Sequence, residues 1–126
     1  FDELRLLHSK KTGALIRAAV LMGAACADNA TKTQIEKLDE YAKWTGLAFQ
    51  VWDDILDVIG DTAVMGKTQG SDISLDKSTY PALLGIDKAK AFAHECAQKA
   101  IASLKDLAID TSILEQFALF AVNRDH

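Results

Sequence analysis

The sequence predicts an all-α protein, on the evidence of its composition, its apolar spacing and its lack of strand-like segments. Of the 126 residues, 20 are alanine, seven are glycine and one is proline. Alanine is the strongest helix former and proline the weakest, so this balance favours helix. Apolar residues recur at helical spacing along most of the chain, and only the short run 63–65 is too brief to exclude as a strand.

The spacing predicts four helices and one irregular segment within a single domain. The helices cover about residues 3–27, 31–59, 81–107 and 112–122, and the irregular segment covers 60–79. Thr31 and Gln34 have the spacing of a capping box, Gly60 is expected to end the second helix, and Pro81 suits the first turn of the third. Long irregular segments inside compact domains tend to be functional, so we interpret 60–79 as a functional loop.

Charge and hydropathy exclude several classes of protein. The net charge of -4 and the pI of about 5.2 do not support a general nucleic-acid or anionic-membrane surface. No run approaches the roughly 18 apolar residues of a membrane span. Cys26 and Cys96 are isolated, so we expect small buried hydrophobes rather than disulfides, in keeping with a cytoplasmic protein. The chain opens on Phe1 inside a helical pattern, and we expect a piece of a longer protein.

The most informative segment is LAFQVWDDILDVI, residues 47–59. Its four polar residues are Gln50, Asp53, Asp54 and Asp57, and they fall within an arc of about 100° on a helix. A helix that is apolar on nearly all other sides is expected to be buried. The carboxylates would then face the interior or a cavity, where protonation or bound cations relieve the cost of burial. Oxygen ligands suit Mg²⁺, although a solvated face of an amphipathic helix remains an alternative.

Lysines and glycines elsewhere suggest a site for an anion. Lys11 lies in a Lys-Lys-Thr-Gly run of the first helix, and the loop contains Lys67 and Lys77 among glycines. Glycine lets backbone N–H groups approach an anion, and lysine supplies a compact positive charge for phosphate. Taken alone, the lysine pair could be solvated and the loop could be a flexible linker. Combined with a buried acidic stripe, they predict a Mg²⁺–diphosphate site.

The segments FQVWDDILD, GDTAVMGKTQGSD and KSTYPALLG resemble the second aspartate-rich region of the trans-isoprenyl diphosphate synthases, and the bacterial farnesyl diphosphate synthases most of all. HSKKTGALI resembles the lysine–threonine helix of that family. The resemblance extends over essentially the whole chain. It implies an all-α bundle of the isoprenoid synthase type around a deep cavity. It also implies a homodimer that joins an allylic diphosphate to isopentenyl diphosphate head to tail.

The resemblance also implies roles for individual residues. Asp53 matches the principal Mg²⁺ ligand, with Asp54 and Asp57 in supporting positions. The other matched residues bind the allylic diphosphate or line the departing group: Lys11, Thr12, Gln50, Lys67 and Lys77. The first aspartate-rich motif and the isopentenyl site of the family are missing, so the chain resembles the C-terminal part alone and the bundle is expected to be incomplete.

Two other residues and three alternatives stay open. Trp52 stands where many family members have a polar residue, and we expect it to pack away from the stripe. Arg124 could reach a substrate phosphate or lie in a solvated tail. The rival functions are a non-catalytic partner subunit, which has no need of an intact DDILD, and a terpene cyclase, whose second metal motif is absent. A helical structural module would leave the acidic stripe unexplained.

Overall fold

The computed structural model describes residues 3, 12–65 and 79–125, with the backbone alone for 61–65. It contains five main helices: α1 (Ala14–Ala25), α2 (Lys32–Met65), α3 (Tyr80–Leu84), α4 (Ile86–Ser103) and α5 (Ser112–Ala121). No strand occurs in these ranges. The all-α prediction is therefore confirmed.

The central helix α2 begins as predicted and ends later than predicted. The backbone N–H of Gln34 donates to Thr31 Oγ1 at 3.1 Å, and the N–H of Thr31 donates to Gln34 Oε1 at 3.0 Å, which completes the capping box. The helix then continues through Gly60 to Met65, so the prediction that Gly60 ends it is wrong. One glycine costs a helix only about 1 kcal/mol relative to alanine, so Gly60 alone is not enough to end α2. Residues 66–78 of the predicted loop lie outside the described part.

Gly85 divides the third predicted helix into α3 and α4. Its φ of 86° lies in the left-handed region that favours glycine, and its N–H donates to the Pro81 carbonyl at 2.8 Å. Pro81 lies in the first turn of α3, as predicted, and Thr79 Oγ1 accepts from the Ala82 N–H. Helix α4 ends at Ser103 rather than near residue 107, and a turn with Asp106 at φ 64° follows.

The helices pack around α2, and its most extensive contact is with α4. The face of α4 that meets the core carries small side chains: Ala89, Ala93, Cys96, Ala97 and Ala100. Small residues let two helix backbones approach closely, which places α4 directly against the Val51–Ile55 side of α2. The prediction of buried cysteines is right for Cys96 and wrong for Cys26, because Cys26 caps the exposed end of α1.

Helix α1 is fixed to the first half of α2 by an ion pair. Arg17 Nη2 donates to Asp39 Oδ2 at 3.1 Å, and Arg17 Nε donates to the other carboxylate oxygen. The hydrogen bonds from Arg17 lower the pKa of Asp39. Lys43, one turn later on α2, adds a second cation 3.5 Å from Asp39.

Within the described ranges, no helix is both long and apolar enough to cross a membrane.

Candidate active site

The polar stripe predicted on α2 forms, and it borders the main core. Ala48, Val51 and Ile55 on the opposite side of the helix are fully buried against α3 and α4. Burial of these side chains fixes the rotation of α2 about its axis. The stripe of Gln50, Asp53, Asp54 and Asp57 is thereby directed away from α4, with its inner edge buried and its outer edge open.

Asp54 lies at the buried edge of the stripe and is 7% exposed. Its Oδ1 accepts from Gln50 Nε2 and its Oδ2 accepts from the Tyr80 backbone N–H, each at 3.4 Å. Burial raises the pKa of Asp54 to about 6, and the negative charges of Asp53 and Asp57 push it in the same direction. The two hydrogen bonds oppose this shift, but burial dominates.

Asp53 and Asp57 lie at the open edge. The Asp53 side chain is 46% exposed, and Asp57 is also exposed. Of the three carboxylates, which were predicted to face the interior or a cavity, Asp54 is buried, and Asp53 and Asp57 are not enclosed by the described residues. A cavity completed by residues outside the described ranges stays a prediction. No group of three or more acidic, histidine or cysteine side chains in the described ranges is arranged to hold a metal ion.

The two exposed aspartates nevertheless suit one kind of cation. They lie four residues apart, about one helical turn, and offer only oxygen ligands. Mg²⁺ commonly binds through one or two carboxylates together with substrate phosphates and water, rather than in a cage made wholly of protein ligands. The donor set at the open edge of the stripe fits that mode of binding.

One end of the stripe is approached closely by the chain that leads into α1. A Cβ atom on Gly46 would lie 3.0 Å from the Gly13 α-carbon. Gly46 lies one turn before Gln50, so this contact brings the backbone beside Thr12 to that end of the stripe. Thr12 is half-buried there, and Lys11 lies outside the described residues.

The other approach comes from the start of α3. The hydrogen bond from the Tyr80 N–H to Asp54 brings the chain that follows the predicted loop against the middle of the stripe. Thr79 is half-buried beside it. Lys67 and Lys77 lie outside the described residues, so their predicted positions stay predictions.

Arg124 is a site residue that the sequence did not identify with certainty. Its side chain is only 9% exposed, and Nη2 lies 3.8 Å from Asp53 Oδ1. The solvated-tail interpretation is therefore wrong. Trp52 packs against the core and His94, away from the stripe as expected, and its Nε1 donates to the Arg124 carbonyl at 2.8 Å. No spacing rule links residue 124 to residue 53, and this contact arises from the packing of α5 against α2.

Comparison with known proteins identifies the family. The polyprenyl synthetase profile matches residues 1–114. The chain belongs to the polyprenyl synthetase family. It is 52% identical to the farnesyl diphosphate synthase of Escherichia coli (strain K12) over 127 aligned residues, which cover 98% of this chain and 42% of that protein.

Other relatives agree on the family and differ in product. The chain is 46% identical to the farnesyl diphosphate synthase of Haemophilus influenzae, with 98% of this chain and 42% of that protein covered. It is also 46% identical to a chloroplastic geranylgeranyl pyrophosphate synthase of Capsicum annuum, over 79% of this chain and 27% of that protein. This polyprenyl synthetase chain thus spans less than half the length of each of these curated relatives. The structure resembles that of a provisionally assigned farnesyl-diphosphate synthase from Marinomonas sp. MED121. That similarity has a TM-score of 0.76 at 36% identity, and covers 98% of this chain and 40% of the other.

Proposed function

We propose that this chain carries the second aspartate-rich region of an isoprenyl diphosphate synthase. The reaction would join an allylic diphosphate, dimethylallyl or geranyl, to isopentenyl diphosphate head to tail, with release of diphosphate and formation of farnesyl diphosphate. Two contacts carry the proposal: Gly13 against Gly46, and Tyr80 against Asp54. They bring the two chain segments that flank the predicted lysines to one acidic stripe.

The open edge of the stripe would bind the metal. Asp53 and Asp57 would supply carboxylate oxygens to Mg²⁺, which would neutralise charge on the leaving diphosphate when bound. Asp54 would support the pair from the buried edge. Its hydrogen bonds to Gln50 and Tyr80 hold the helix and the following chain in one arrangement.

The lysines would bind the diphosphate from both flanks. Lys11 is two residues from Gly13 and Lys77 is three residues from Tyr80, so chain length alone limits their α-carbons to about 7 Å and 11 Å from those anchors. A lysine side chain can span much of the distance from such an α-carbon to the stripe. With Lys67, they would place positive charge where negative charge develops as the allylic C–O bond breaks.

Thr12 and Gln50 would line the departing group. Gln50 is 8% exposed and already donates to Asp54, so its amide is held in place before substrate arrives. The isopentenyl double bond would attack the allylic carbon, and the proton lost afterwards would pass to the released diphosphate. A homodimer, implied by the family resemblance, and a cytoplasmic location, suggested by the isolated cysteines, stay predictions.

The test uses the full-length protein, meaning the product of the whole open reading frame that encodes this chain. It would be incubated with geranyl and isopentenyl diphosphates and Mg²⁺, and the products separated by chain length. We expect farnesyl diphosphate, its loss on chelation, and its return with added Mg²⁺. Absence of any head-to-tail product would refute the proposal and favour a non-catalytic subunit. Hydrocarbon released from the allylic substrate alone would indicate a terpene cyclase.

A further inference from the structure

Arg124 lies three residues beyond α5, yet its side chain is only 9% exposed. Nη2 donates to the Phe49 carbonyl at 3.1 Å, and Nε donates to the Ala121 carbonyl at 3.3 Å. The guanidinium carbon lies 4.1 Å from the centroid of the Phe49 ring. Planar stacking and several directed donors are specific to arginine and cannot be reproduced by lysine.

The backbone of the same residue is held independently. Trp52 Nε1 donates to the Arg124 carbonyl at 2.8 Å. The Trp52 ring is fixed in turn by an edge-to-face contact with His94 of α4, with centroids 5.3 Å apart. Phe49 and Trp52 are three residues apart on α2, so one face of that helix holds both ends of Arg124.

These contacts place a fixed cation beside the first aspartate of the stripe. Arg124 Nη2 lies 3.8 Å from Asp53 Oδ1, which is an ion-pair distance and too long for a hydrogen bond. Asp53 is about half exposed, so the charge of Arg124 favours one orientation of its carboxylate. Since Arg124 is anchored to α2 itself, the orientation is defined in the frame of the helix that carries Asp53.

We propose that Arg124 is a positioning residue that orients the Asp53 carboxylate toward the metal and the leaving diphosphate. The proposal rests on the proposed function, and it assigns Arg124 an effect on turnover that passes through Asp53. If Arg124 instead contacted the substrate directly, its substitution would lower turnover even without the Asp53 carboxylate. If its role were purely structural, the substitution would lower turnover equally in every variant background.

The experiment measures kcat and allylic KM in the full-length protein for Arg124→Gln, Arg124→Lys, Asp53→Asn and the double variant. Calorimetry without turnover measures the binding of Mg²⁺ with inorganic diphosphate, which Arg124→Gln should weaken in the wild-type background and leave unchanged in the Asp53→Asn background. We expect Arg124→Gln to lower kcat about 10-fold with KM within about 2-fold, and Arg124→Lys to recover part of the loss. In the Asp53→Asn background, Arg124→Gln should change kcat by less than about 2-fold, because residues that act through one another are not additive. In an Asp57→Asn background the loss should persist.

Lys99→Gln is the matched control. Lys99 also lies over an aromatic ring, Trp44 at 4.6 Å, and pairs with Glu95 at 3.5 Å. Trp44 lies five residues before Phe49 on α2 and about 140° around the helix axis from it. We expect the kcat of Lys99→Gln to match that of the wild type. Trp52→Phe keeps the ring and removes the donor to Arg124, so it should lower kcat even where Arg124 variants are hard to produce.

Three results would overturn the inference. The first is a kcat of Arg124→Gln within about 2-fold of the wild-type value. The second is a loss of kcat on the Asp53→Asn background as large as the loss on the wild-type background. The third is a change in KM with kcat unaffected. These results leave the proposed function intact. A wild-type protein without prenyl transfer would refute the proposed function itself, and with it the role of Arg124.

Discussion

Asp54 lies in a different environment from Asp53 and Asp57, although the three aspartates share one helix face. Their spacing predicted a common stripe correctly, since a 100° rotation per residue fixes it. Spacing could not predict that Tyr80, 26 residues further along, would bury Asp54 and donate to it. The same limitation applies to Arg124, whose partner Asp53 is 71 residues away by the numbering. Long-range contacts of this kind depend on how helices dock.

The buried position of Asp54 gives a prediction for pH dependence. The pKa of Asp54 is about 6 in the folded protein, and an aspartate in an unfolded chain has a pKa near 3.9. The folded state therefore binds more protons between these values, and this group's contribution to stability falls as pH rises from about 4 to about 6. In the full-length protein with chelator, Asp54→Asn should remove that decline, which is at most about 2–3 kcal/mol.

Denaturant unfolding at pH 4.5 and pH 7 measures this difference directly. The wild type should lose stability relative to Asp54→Asn at the higher pH. If the stability difference between Asp54→Asn and the wild type were the same at pH 4.5 and pH 7, burial would not raise the pKa of Asp54.

At the scale of helices, the close approach of Gly13 and Gly46 determines where α1 begins. A side chain at Gly46 would meet the Gly13 backbone rather than a movable side chain, so the start of α1 would have to give by a few tenths of an ångström. We expect Gly46→Ala to destabilise the full-length protein by roughly 1–3 kcal/mol and to lower kcat. The measurements are thermal unfolding and steady-state kinetics.

Gly23→Ala on α1 is the control for Gly46→Ala. A Cβ atom there meets nothing within 4 Å, and the residue is exposed. Alanine should therefore stabilise the helix by roughly 0.5–1 kcal/mol with unchanged kcat. Equal behaviour of the two variants would mean that the Gly13–Gly46 contact has no role in placing α1.

The Arg17–Asp39 pair predicts how α1 responds to acid. Because the pKa of Asp39 is lowered in the folded protein, the pair stabilises at neutral pH and its contribution is lost as pH falls below the ordinary aspartate range. Asp39→Asn should lower the unfolding temperature at pH 7 and have little effect near pH 3. Glu95→Gln removes the Lys99–Glu95 ion pair within α4, so it should change the unfolding temperature less than Asp39→Asn does at pH 7, and little near pH 3.

The helices themselves were largely predictable from local signals, and their ends were less so. The Thr31–Gln34 capping box and Pro81 at the start of α3 depend on neighbouring residues, so the sequence predicts them well. Gly60 and Gly85 show the limit of such signals. One glycine continues a helix and the other breaks it at φ 86°, and local composition does not distinguish them.

For the whole molecule, the coverage of 42% against the Escherichia coli relative bears on catalysis. Departure of a diphosphate requires charge compensation from several sides, and the acidic stripe supplies carboxylates from one helix. We expect the 126-residue chain alone to form no detectable prenyl transfer product under conditions where the full-length protein does. Turnover at ordinary enzyme rates of about 1–10³ s⁻¹ by a preparation of verified mass would contradict this.

Exposed apolar residues on α5 lead to a related expectation. Ile113, Phe117 and Phe120 follow one helix face and are 78%, 42% and 57% exposed. Apolar surface of this kind favours association, so the isolated chain should show concentration-dependent self-association in sedimentation. Ile113→Glu should reduce it more than Ile109→Glu, which alters an exposed apolar residue before the helix. A monomer at all concentrations would exclude a role for this face.

The central claim, that the open edge of the stripe acts on the leaving diphosphate, is tested most directly by Asp53→Asn in the full-length protein. Glu36→Gln, an exposed carboxylate on the same helix, is the control. Because a metal ligand at this position stabilises charge that develops in the transition state, kcat should fall by about 100-fold or more while allylic KM changes by less than about 5-fold. The control should match wild type in both. An Asp53→Asn variant with wild-type kcat, or one that loses kcat and binding to the same degree, would contradict the account.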